Sequence, residues 1–97
     1  MDIRNVTQFA AFISNNGLQS MDGMLRQIVD CITGYAAACN CYKVEDKQRM
    51  YGACNRMYLD AVRHIVPRFK NEILAKIPDR QISFFSDNGT LIAIVSR

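Results

Sequence analysis

The sequence predicts a mostly α-helical (α+β) domain: an antiparallel helical hairpin, preceded by a short N-terminal helix and followed by a C-terminal β-hairpin. Three observations carry this. From about residue 44 to 77, Met50, Cys54, Met57, Tyr58, Ala61, Val62, Ile65 and Phe69 form one broad apolar arc on a wheel of about 3.6 residues per turn. Upstream, Met21, Leu25, Ile28, Ile32, Tyr35 and Cys39 alternate three and four apart, a heptad-like seam able to face that arc. After Pro78 the period changes, and two β-branched segments flank Asp87-Asn88-Gly89, a sequence suited to the positive φ angles of a tight hairpin turn.

The first helix, about residues 5–15, rests on Val6, Phe9, Ala10 and Ile13 at helical spacing, with Asn5 as cap and Gln8 three residues later completing a capping box. Ser14-Asn15-Asn16-Gly17 ends it, because glycine takes a left-handed conformation without a Cβ clash. The second helix, about 21–40, begins after Ser20 with Asp22 in its first turn, where a carboxylate meets the positive end of the helix dipole. Residues 40–43 are the tight connection. The third helix, about 44–77, should kink near Pro67, which lacks an amide donor and collides with the preceding turn. In the β-hairpin, about 81–96, Ile82, Phe84, Ile92 and Ile94 are expected on one face, with Phe85, Leu91, Ala93 and Val95 on the other. Both faces are then apolar, and an isolated two-stranded pair with free edges is marginal in water, so a partner is implied.

At 97 residues the chain is long enough for one domain, 1–97, and its 49% hydrophobic and 22% charged residues are those of an ordinary folded protein. The net charge of +3 is localised: residues 43–80 carry nine Lys and Arg against five Asp and Glu. Arg49, Arg56, Arg63 and Lys70 recur every seventh residue opposite the apolar arc, a row that would span about 30 Å if helical throughout and could contact an anion or nucleic acid. A solvated helix face accounts for the same row, since Asp60 interrupts it and few aromatics are interleaved for base stacking. The N-terminal residues lack a secretory signal pattern and no stretch is apolar enough to span a membrane, so a cytoplasmic location is expected, with reduced cysteines.

The chemistry-bearing residues are few. Cys39 and Cys41 form one tight pair, but structural zinc sites repeat such a knuckle, and no histidine follows at ligand spacing. Cys31 and Cys54 should face each other across the helical hairpin as buried thiols. His64, the single histidine, follows Asp60 by four residues with no nucleophile in evidence. Paired carboxylates, a nucleophile elbow, a phosphate loop and a dinucleotide fingerprint are all missing. The expectation is therefore a non-enzymatic structural or adaptor subunit with no catalytic residue, metal or cofactor. Its partners would be itself or other protein subunits, held through Phe84, Phe85, Leu91, Ile92, Ile94 and Val95 and the helical faces. A phage or virus structural component, located in the virion, suits this profile. The alternative is a small basic nucleic-acid-binding regulator using the Arg49 to Lys70 row.

Overall fold

A computed structural model describes residues 1–37 and 43–97. It is mostly helical with a small mixed sheet: β1 (Asp2–Ile3), α1 (Val6–Asn15), α2 (Gly23–Ala37), α3 (Val44–His64), a 3-10 turn (Val66–Phe69), α4 (Lys70–Leu74), β2 (Gln81–Phe85) and β3 (Leu91–Ser96). The strand order is β1-β2-β3, with β1 parallel and β3 antiparallel to β2.

Each helix boundary has a local cause. The Asn5 side chain accepts the Gln8 amide at 2.9 Å, while the Gln8 side chain reaches back to the Arg4 amide at 2.8 Å, so the two satisfy orphan donors reciprocally. At the other end of α1, Gly17 takes φ +64 and the Leu18 amide bonds to the Ile13 carbonyl, closing the helix with Leu18 fully buried. Asp22 sits just before α2 rather than in its first turn, and its carboxylate accepts the Met24 amide at 2.8 Å. The expected connection at residues 40–43 lies mostly outside the described residues.

Pro67 acts more strongly than a kink. The helix expected over 44–77 ends at His64, passes through the 3-10 turn that contains Pro67, and resumes as the short α4. A proline at the start of the new turn needs no amide partner there, which makes a restart cheaper than a bend.

Phe9 lies at the centre of the core. Its ring is 5.1 Å from that of Tyr58 on α3 and 6.0 Å from that of Phe84 on β2, joining helices and sheet in one apolar cluster with Val6, Ile13, Val62 and Ile82. Along α2, Leu25 and Ile28 are fully buried, whereas Met21, Ile32 and Tyr35 are half-buried. Contacts between α2 and α3 run from Cys31–Cys54 to Tyr35–Tyr51, rising along one helix as they fall along the other.

Two expectations are corrected here. Cys31 and Cys54 are not free thiols: packing of α2 on α3 brings their Cα atoms to 5.9 Å, within bonding range, and they form a disulfide. The sheet faces also differ. Ile82 pairs with Val95 and Phe84 with Ala93, so Ile82, Phe84, Ala93 and Val95 share the face packed on the helices, and Ile94 stands opposite Ser83 on the other. The register then skips Ile92, passing from Phe84–Ala93 to Phe85–Leu91, and this bulge is what turn spacing alone does not reveal.

Candidate interaction surface

β3 is a sheet edge, and backbone alternation determines which of its groups are free. The Ser83 amide donates to the Met1 carbonyl, so Ser83 faces β1, while Ile82 and Phe84 turn their backbone groups toward Val95 and Ala93. Ile94 must then point its N–H and C=O away from β2; at Ile92 the alternation is broken by the bulge. No described residue hydrogen-bonds the outward groups of Ile94.

The side chains match this exposed edge. Among the described residues the exposed large hydrophobics are Met1, Val44, Leu91 at 48% and Ile94 at 52%, two of the four on this single strand. Ile92 is half-buried. Phe85 is half-buried beneath the Arg4 guanidinium, 4.4 Å from its ring centroid, and Arg4 is itself paired with Asp2 at 3.1 Å. Phe84 at 0% and Val95 at 5% belong to the interior and are removed from the partner-facing set, because the observed register turns them onto the helices. Ile92 packs against the core cluster and is removed as well; Leu91 and Ile94 remain, with Phe85 at the margin.

Two tyrosines absent from the sequence-based site brace this surface from within. Tyr58, fully buried, donates its hydroxyl to the Phe85 carbonyl at 2.7 Å, and burial pushes its pKa up to about 12 against the opposing effect of that bond. Tyr51 donates to the Asp87 carboxylate at 3.1 Å, and burial followed by this bond and the nearby negative charge also raises its pKa to about 12. Both tie α3 to the β2–β3 turn. Tyr58 reads from the sequence only as one member of the apolar arc, since its hydroxyl partner is set by the fold. At the other end of β3, the Arg97 guanidinium donates to the carbonyls of Leu74 and Ile77, fastening the strand to the end of α4.

The basic row is divided. Arg49, Arg56 and Arg63 are exposed on α3, with Arg49 3.6 Å from Asp46, but Lys70 starts α4 beyond the 3-10 turn, so no single helix carries all four. Asp60 and His64 are both exposed and make no mutual hydrogen bond or ion pair. Cys39 and Cys41 lie outside the described residues. Among the described residues no group of three or more His, Cys, Asp or Glu side chains gathers to hold a metal, and no helix is long and apolar enough to cross a membrane. An open cleft of about 390 Å³, lined by Tyr35, Val44, Lys47, Gln48 and Tyr51, brings together no nucleophile with a base. No protein-family model, curated protein or solved structure matches this chain.

Proposed function

We propose that the chain is a small, non-enzymatic structural or adaptor subunit that joins copies of itself or other protein subunits through β3 and the helical faces. In this reading α2 and α3 act as an antiparallel hairpin backing the sheet. One observation carries it: an edge strand that exposes Leu91 and Ile94 and whose run from Thr90 to Ser96 holds no charge and no proline. Free edges of proteins that work alone are blunted by such residues, because an apolar edge invites pairing with other chains. A phage or virus particle is an assembly that uses subunits of this size. The Cys31–Cys54 bond favours a virion over a cytoplasmic residence, since disulfides persist in oxidising surroundings.

Light scattering on the purified chain and on a Phe85→Lys/Leu91→Lys variant tests the reading. The wild type should associate, and the variant should lose association while keeping its helical circular-dichroism signal. A wild type that remains monomeric at high concentration, with residues 91–96 open to hydrogen exchange in the presence of its co-assembling proteins, overturns it. The nucleic-acid reading draws on the exposed Arg49, Arg56 and Arg63. It requires duplex binding whose affinity falls steeply with salt, a dependence that a subunit without phosphate contacts lacks.

A further inference from the structure

We infer that Asn88, in the turn between β2 and β3, is a self-modification site: the Gly89 backbone nitrogen attacks its side-chain amide, which is lost as ammonia and leaves aspartate or isoaspartate. The reaction needs no co-reactant beyond water and hydroxide. The Gly89 nitrogen gives its proton to hydroxide and bonds to Asn88 Cγ; the Cγ–Nδ2 bond then breaks, ammonia departs and a cyclic succinimide remains. Water opens that ring on either side. Cleavage between Cγ and the Gly89 nitrogen gives aspartate, whereas cleavage at the Asn88 main-chain carbonyl gives isoaspartate, with the chain rerouted through the side chain. In balance, one amide and one water become one carboxylate and one ammonium ion.

The sequence holds two Asn-Gly pairs, Asn16-Gly17 and Asn88-Gly89, and the structure separates them. Both glycines have open space where a Cβ would stand, at φ +64 and +86, so neither nitrogen is shielded by a side chain of its own. Both amides donate to the carbonyl three residues back, Gly17 to Ser14 at 3.2 Å and Gly89 to Ser86 at 3.0 Å, so this bond does not discriminate. The carboxamides differ. Asn16 Nδ2 donates to the Phe12 carbonyl at 2.8 Å, which turns the group back onto α1 and ties the nitrogen that would have to leave. Asn16 is also half-buried, close to the fully buried Leu18.

Asn88 is arranged the other way. Its Oδ1 accepts the Thr90 amide at 3.2 Å, which folds the carboxamide forward across the Gly89 nitrogen, and it also accepts the Ser86 hydroxyl. As the nitrogen adds to Cγ, negative charge develops on Oδ1, where these two donors already point; donors fixed in this way lower the barrier to addition at a carbonyl. Residues 87–90 are all exposed, so water and hydroxide reach the turn. The Asp87 carboxylate opposes a developing anion, but it accepts the Tyr51 hydroxyl at 3.1 Å, which partly offsets its field. The product changes the strand connection: a carboxylate at position 88 stands beside Asp87 and lowers the net charge of +3 by one, and isoaspartate adds a methylene to the turn that aligns β2 with β3.

Peptide mapping by mass spectrometry, with enzymatic methylation to reveal isoaspartate, follows both Asn-Gly pairs during incubation at neutral pH, in the folded wild-type chain and in denaturant. In denaturant the two should react at similar rates. In the folded chain Asn88 should convert on the order of tenfold or more faster than Asn16. Ser86→Ala, which removes one donor to Oδ1, should slow Asn88 severalfold, and Ser86→Thr, which keeps a hydroxyl, should hold the wild-type rate. An Asn88 that stays intact in the folded chain while it converts in denaturant, or that reacts no faster than Asn16, overturns the site. A Ser86→Ala chain that converts as fast as the wild type overturns the activation that selects Asn88. Should Ser86→Ala lose its fold by circular dichroism, the comparison of Asn88 with Asn16 in the folded wild type decides alone.

Discussion

Reducing the Cys31–Cys54 bond should cost this domain a large part of its stability. The two cysteines are 23 residues apart, and in the chain-entropy account closing a loop of that length removes about 3.4 kcal/mol of freedom from the unfolded state. A single domain of this size has about 5–15 kcal/mol in total. The loss should fall on a part of the fold with little else to hold it, since no residue of α2 after Ile28 is fully buried. Denaturant midpoints with and without a dithiol reductant, and for Cys31→Ala/Cys54→Ala, measure it directly. The melting temperature should fall by roughly 15–25 °C in both cases, using about 4–8 °C per kcal/mol for a domain this small. If mass spectrometry finds the bond formed and reduction moves the transition by less than about 1 kcal/mol, unfolded-chain entropy is not what the bond supplies.

Three further outcomes follow from particular contacts. Tyr58→Phe leaves the Phe85 carbonyl without its buried donor and should cost about 1–3 kcal/mol in a urea titration, whereas the same change at the partly exposed Tyr51 should cost less. Alkaline titration should show Tyr51 and Tyr58 ionising near 12 rather than near 10; because the folded state holds these protons more tightly, stability is intact below pH 10 and lost as pH rises from 10 through 12. Two glycines should respond with opposite sign to alanine: Gly89, at φ +86, should lose about 1 kcal/mol from backbone strain alone, and Gly34, in mid-helix with open space at its Cβ, should gain about 0.5–1 kcal/mol, both read from thermal midpoints.

Local signals in the sequence carried far along this chain. The Asn5 and Gln8 pair, Gly17 and the Asp87-Asn88-Gly89 turn each act within a few residues, and each stands where its chemistry places it. The apolar arc of α3 likewise reads correctly, because a helix buries one face whatever it packs against. What escaped depends on distant partners. β1 is two residues long, too short for any period, and exists because Ile3 can add to β2 and bury itself. The sheet register hinges on a bulge at Ile92, so Ala93 and Val95 join the inner face and Ile94 leaves it, while Ile92 still packs against the core. The disulfide was half legible: the expected hairpin set Cys31 beside Cys54, but spacing says nothing of oxidation. Of the expected contact residues, Leu91 and Ile94 stay available and Phe84, Ile92 and Val95 do not, for the same reason of register.

The mass of the purified wild-type chain by light scattering, across a concentration series, tests most directly the claim that β3 is an assembly element. Assembly through β3 gives a mass above the 11.0 kDa of one chain, rising with concentration and returning to the single-chain value when Leu91 and Phe85 are replaced by Lys. A mass of 11.0 kDa at every concentration, unchanged by adding its co-assembling proteins, would contradict it.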